Sequence, residues 1–225
     1  MILITSYYET HNEERQIEIK DCLIKNNNNP LINKIFLLND KNYDLNFLEN
    51  KDKIKQFKII KNKKLYFSEA IEFINLYCYK ELVILSNSDI YFDDTLNQIK
   101  EEELENKVYA LLRYDVKKDG SKDIFRHFNE PRADSQDAWI FKSPLRISLD
   151  DIHFSFGTLG CDNMFASIIN QYGYILENPS YSIIINHLHN VEERSYDIME
   201  RIHGKYCLIE PHHLGETSKI RFMDY

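Results

Sequence analysis

The stretch Glu81-Leu82-Val83-Ile84-Leu85-Ser86-Asn87-Ser88-Asp89-Ile90-Tyr91-Phe92-Asp93 decides how the rest of the chain is read. Its apolar run, Leu82 to Leu85, predicts a strand buried on both faces, and such strands belong to parallel sheets covered by helices. The run stops abruptly at Asn87-Ser88-Asp89. In a parallel sheet, ligands bind beyond the carboxyl ends of the strands. A carboxylate there, with a carboxamide two residues earlier, suits a divalent cation carrying a phosphate. Asn-Ser-Asp is also ordinary turn chemistry, so this stretch alone leaves both readings open.

Working outward, the flanking patterns alternate. Strands are expected at 2–5, 35–38, 57–60 and 82–85, with a polar helix from His11 to Lys25. A second helix, 69–79, carries Ile71, Ile74 and Cys78 on one face, with Ser68 as its expected cap. Asn26 to Pro30 ends the first helix. This alternation implies a mostly parallel sheet with right-handed crossovers, an α/β fold. In the second half, strands are expected at 108–112, 138–141, 174–176 and 182–185, with a polar stretch from Arg113 to Gln136. Gly160-Cys161-Asp162-Asn163 opens a helix whose apolar face is Met164, Phe165, Ile168, Ile169 and Tyr172. Asp162 is expected at its N-cap and Gly173 at its end. Residues 198–225 read as a polar tail packed over the domain.

Composition narrows the classes. A chain of 225 residues, 43% hydrophobic, can bury one substantial core. No apolar run is long enough to span a bilayer, and Met1 to Thr5 lacks the basic flank of a signal peptide. The four cysteines, Cys22, Cys78, Cys161 and Cys207, form no CxxC pair and read as reduced thiols of a cytoplasmic protein. A net charge of −8 argues against nucleic acid as a partner but permits a small anion held by a metal.

Three polar clusters belong together: Asn87-Ser88-Asp89, Asp162, and His187-Leu188-His189 after the last expected strand. Residues two apart on a strand point the same way, so His187 and His189 can converge on one ion. Imidazoles beside a carboxylate suit Mn²⁺ better than Mg²⁺. Each cluster also has a plain structural reading, as strand-end histidines or a helix cap.

With these residues in this order, the chain resembles the GT-A glycosyltransferases over residues 1–197. Asn87-Ser88-Asp89 sits where the family's metal-binding DxD motif belongs. Gly160-Cys161-Asp162 is similar to the Gly-Glu-Asp segment whose last acid is the base of inverting members. Gly173-Tyr174 to Pro179 is similar to the Gly-Tyr…Pro that follows. His187-Leu188-His189 looks like the His-x-His of the β-1,4-galactosyltransferase 7-like branch. Two departures are evident: Asn87 replaces the first Asp of DxD, and Cys161 replaces the Glu before the base.

The resemblance implies a GT-A domain with a nucleotide-binding half (1–95), an acceptor and metal half (96–197) and a tail (198–225). It implies sugar transfer from a nucleotide diphosphate sugar to a glycan or other hydroxyl acceptor. Asp89, His187 and His189 would hold Mn²⁺ or Mg²⁺, and Asp162 would be the base, kept ionised by the helix N-terminus. Thr5, Tyr7, Asn39, Asp40, Lys64, Ser68, Asn87 and Ser88 would meet the donor; for the first-half residues a surface role is equally open. Asp134, Gln136, Asp137 and Trp139 are acceptor or sugar-side candidates, with Trp139 either a stacking platform or a core residue. Arg113 would meet phosphate or Asp115, and His212-His213 reads as a surface pair. A nucleotidyltransferase is an alternative, although Thr5 to Thr10 lacks the glycine-rich loop that class needs. A non-catalytic nucleotide-sugar or glycan-binding module is another.

Overall fold

The computed structural model describes residues 1–60, 64–191 and 200–225. In chain order the principal elements are β1 (Ile2–Thr5), α1 (Glu13–Asn28), β2 (Lys34–Asn39), β3 (Ile54–Lys58), α2 (Phe67–Tyr77), β4 (Leu82–Ser86) and β5 (Ile90–Phe92). There follow β6 (Lys107–Leu111), β7 (Tyr114–Val116), β8 (Lys122–Ile124), β9 (Arg126–His127), β10 (Glu130–Pro131) and β11 (Ala138–Lys142). The chain continues with α3 (Cys161–Gln171), β12 (Ile175–Glu177), β13 (Ile185–His187), β14 (Lys205–Ile209) and β15 (Ile220–Asp224).

A seven-stranded sheet runs in the order β12-β6-β11-β4-β1-β2-β3. Its strands are parallel except β11, which pairs antiparallel with both β4 and β6. The fold is therefore α/β and Rossmann-like, with helices on both faces of a mostly parallel sheet. Side-chain alternation assigns those faces. Ile4, Leu38, Val83 and Leu85 point to the layer built by α2 and α3, among Phe67, Ile71, Phe165 and Ile169. Leu3, Leu37 and Ile84 point the other way, to Ile19 and Leu23 of α1. Because β4 is buried on both faces, truncating Ile84 to alanine costs about 2–5 kcal/mol.

Helix boundaries follow local chemistry. Asn12 caps α1, its side chain accepting from the Arg15 amide at 3.0 Å. Helix α2 starts at Phe67 with Tyr66 at the cap position, where the Glu69 carboxylate accepts the Tyr66 N–H at 3.0 Å. Ser68 is thus not the cap; it lies inside the first turn and meets His153 Nδ1 at 3.0 Å. Gly160, at φ +83°, is the residue before α3, which moves Asp162 from the expected N-cap into the first turn.

The second half departs most from expectation. The polar stretch after Arg113 contains β7 to β10, and β5, β13, β7 and β8 make a second sheet. The strand expected at 182–185 forms later, as β13. The expected tail contains the hairpin β14–β15, with Tyr206, Cys207, Leu208 and Ile209 buried. The domain boundary expected at 197 lies outside the described residues.

Candidate active site beyond the parallel strands

The segments after β1, β2 and β4 open onto one cleft of about 1650 Å³. Tyr7, Asp40 and Asn87 to Asp89 line it from these strand ends, as expected of ligand sites in such sheets. The register of the second sheet then builds the polar centre. β13 lies between β5 and β7, placing His187 opposite Ile90 on one side and Asp115 on the other. Asp89 is one residue before Ile90, and its carbonyl accepts the Leu188 N–H at 3.0 Å. Strand pairing thereby joins residues almost a hundred positions apart in sequence.

Ligating atoms of Asp89, His187 and His189 all lie within 4.8 Å of one another. Asp89 Oδ2 is 3.3 Å from His187 Nε2 and 3.7 Å from His189 Nδ1. Asp89 Oδ1 is buried and meets no hydrogen-bond donor among the described residues. An orphaned carboxylate oxygen beside two imidazoles is what a cation site requires, so the residues fit a divalent ion. His187 Nδ1 faces Asp115 Oδ1 at 2.8 Å, which directs Nε2 toward Asp89 and fixes the ring. Asp115 in turn accepts from Arg113 Nε at 2.9 Å.

Electrostatics at this centre are strongly perturbed. Burial opposes the charged form of Asp89, but His187, His189 and Arg15 together hold its carboxyl well below the usual carboxylate range. Burial lowers the His187 pKa, yet Asp89 and Asp115 outweigh it and push the value up to about 9. Binding a cation through Nε2 must therefore release a proton.

Asp162 lies in the same cleft. Its Oδ2 accepts the Gln136 N–H at 3.0 Å and its Oδ1 accepts from Asn163 Nδ2 at 3.3 Å. The helix N-terminus does not keep this carboxyl strongly acidic; burial, with Asp137 nearby, pushes it up to about 6. That value still leaves it ionised at neutral pH, in the range where a carboxylate works as a base.

The remaining expected residues divide. Lys64, Asn87, Ser88, Asp134 and Asp137 line the cleft with Tyr7 and Asp40. Asp137 is held by Arg113 Nη1 at 3.1 Å and Asn87 Nδ2 at 3.3 Å, and Asp134 pairs with Arg132 at 2.7 Å. Thr5, Asn39 and Ser68 are buried behind the lining. Asn39 is a latch: its Oδ1 accepts the Tyr7 N–H at 2.8 Å and its Nδ2 reaches Gln56 at 3.0 Å. Trp139 is 1% exposed and edge-on to Phe67 and Phe165, a core residue at the floor of the cleft it helps to line. His212 is buried rather than on the surface, its Nε2 accepting the Asn178 N–H at 3.2 Å.

Two contributors escape the sequence reading. Asp115 entered only as one of two possible partners for Arg113, the residue just before β7. Arg15, in the first turn of a polar helix, gave no signal. It donates to Asp89 Oδ2 at 2.5 Å and to the Leu188 carbonyl at 2.9 Å.

No protein-family model and no curated protein sequence matches the chain. Among solved structures, a 4-diphosphocytidyl-2C-methyl-D-erythritol synthase from Anaerococcus prevotii is similar at 12% identity and a TM-score of 0.36, over 63% of this chain and 69% of that one. HddC from Yersinia pseudotuberculosis is similar at 13% identity and a TM-score of 0.40, over 69% of this chain and 82% of that one. Likeness at this level names neither a family nor an activity.

Proposed function

We propose that the chain is a metal-dependent glycosyltransferase of the GT-A type, moving a sugar from a nucleotide diphosphate sugar to an acceptor hydroxyl with inversion. The observation that carries this reading is the convergence of Asp89, His187 and His189 within 4.8 Å, in a cleft that also contains Asp162. Asp89 and the two imidazoles would hold Mn²⁺ or Mg²⁺, with Mn²⁺ favoured by the nitrogen ligands. The ion, when bound, neutralises the diphosphate leaving group. Asp115 holds His187 in the orientation that ligation needs. Asp162 takes the proton of the acceptor hydroxyl, and the Gln136 amide keeps its carboxylate aimed.

In this reading residues 1–95 form the nucleotide half, with Tyr7, Asp40, Lys64, Asn87 and Ser88 toward the donor. Asp134 and Asp137 lie toward the sugar and acceptor. A second reading, nucleotidyl transfer, draws support from Arg15, a buried cation from the segment after β1 that reaches the same cleft. One experiment separates them. The chain with Mn²⁺ is incubated with a panel of nucleotide sugars, and separately with nucleoside triphosphates plus sugar phosphates. Release of nucleoside diphosphate supports the glycosyltransferase, release of pyrophosphate supports the alternative, and neither supports a binding module.

A further inference from the structure

Two charged side chains of helix α1, Arg15 and Glu18, reach the segment around His187 and His189. Arg15 Nη2 donates to Asp89 Oδ2 at 2.5 Å, and Nη1 donates to Glu18 Oε2 at 3.0 Å and to the Leu188 carbonyl at 2.9 Å. Glu18 Oε1 accepts the Asn190 N–H at 2.6 Å. The side chains of Arg15, Glu18 and Asp89 are 9%, 11% and 13% exposed, so this is a desolvated network in which removing one charge leaves another uncompensated. Leu188 is the residue between the two histidines, and Arg15 itself lines the cleft.

The guanidinium occupies one oxygen of Asp89 and leaves the other, Oδ1, without a donor among the described residues. Arg15 is thus a permanent counter-charge of Asp89 when no cation is present, beside the imidazole of His187 at 3.3 Å from the same oxygen. A divalent ion shared by Asp89 and the histidines would place two further positive charges beside a buried guanidinium. At such range in a site of low effective dielectric, like charges repel far more than in water. An anion bridging both cations relieves that repulsion, and a diphosphate has the charge to do so.

We propose that Arg15 makes cation and diphosphate binding interdependent: it disfavours the cation alone and attracts the diphosphate once the cation is present. This rests on the proposed metal and diphosphate reading of the cleft. Arg15 is a positioning and charge-balancing residue in this account, and the expected coupling is about tenfold, within the ordinary range for linked sites.

Calorimetry on the full chain tests it, with MnCl2 alone and then with uridine or guanosine diphosphate at saturating Mn²⁺. Arg15→Gln is expected to tighten Mn²⁺ alone by roughly tenfold and to weaken the diphosphate by roughly tenfold. Opposite signs distinguish charge balance from simple loss of structure, which weakens both. Arg15→Lys keeps the charge without the fork and is expected to hold both affinities within about threefold of the wild type. Mn²⁺ affinity that is unchanged or weaker in Arg15→Gln overturns the proposal. If Arg15→Gln does not fold, loss of diphosphate binding in Arg15→Lys overturns it and retention supports it. A wild-type chain that binds neither Mn²⁺ nor a diphosphate overturns the functional reading itself.

Discussion

Replacing Gly160 with alanine probes how the C-terminal hairpin fixes the segment that carries Asp162. A Cβ at this position would lie 1.8 Å from Tyr206 Oη and 2.3 Å from its Cζ, so the phenol must move. At φ +83° the backbone is left-handed, which costs an L-residue about 1–2 kcal/mol. Displacing Tyr206 also gives up its hydrogen bond to the Ile202 carbonyl, about 0.5–1.5 kcal/mol. Its ring contact with Tyr225, at 4.7 Å between centroids, contributes a similar amount. The expected loss of stability is therefore roughly 2–5 kcal/mol, read by urea unfolding. Tyr206→Ala removes the obstacle, so the double variant should cost less than the two single changes added, by about 1–3 kcal/mol. Additivity to within ~0.5 kcal/mol would refute the steric reasoning and leave only the backbone term.

Asp162→Asn keeps an oxygen for the Gln136 amide but removes basicity, so transfer should fall by about 10²–10⁴ with donor affinity intact, measured by product formation and calorimetry. At saturating Mn²⁺ the wild-type rate should rise with pH through about 6 and then level, because Asp162 must be ionised. The same group has a raised folded pKa, so its contribution to stability is complete below its unfolded value of about 3.9 and is lost as pH rises through about 6. Asp162→Asn should therefore gain stability relative to the wild type across that window in melts of the metal-free chain. Asp115→Asn should weaken Mn²⁺ by about 10–100-fold in titrations without altering the ligand set, since it orients His187. Asp40→Ala should raise the donor Kd and, by removing the acceptor of the Tyr43 hydroxyl at 2.7 Å, cost about 0.5–1.5 kcal/mol, whereas Asn39→Ala leaves the buried Tyr7 amide unpaired and should cost about 1–3 kcal/mol on denaturation.

The parallel half of the fold was legible because its strands are buried on both faces: the runs at Ile2, Ile35 and Leu82 have no competing pattern. His187 and His189 were legible from a spacing of two on an extended chain. The hairpin of β14 and β15 was not, because Tyr206 to Ile209 is a short apolar run inside a polar segment, and its burial comes from packing on α3. Arg15 and Glu18 lie in the stretch read as a polar helix; hydrogen bonds across 173 and 172 residues, to the Leu188 carbonyl and from the Asn190 amide, bury them and leave no periodic trace. Trp139 was ambiguous by type; its ring packs edge-on against Phe67 and Phe165 at the floor of the cleft.

The central claim is that Asp89, His187 and His189 together hold a divalent ion against a diphosphate. Crystals grown with MnCl2 and a nucleoside diphosphate, measured at the manganese edge, test it most directly. The account predicts one anomalous peak at ~2.0–2.6 Å from an Asp89 oxygen, His187 Nε2 and a His189 ring nitrogen, with phosphate oxygens completing its shell. An ordered diphosphate in the cleft with no peak at these three residues, or with the peak elsewhere, would contradict it.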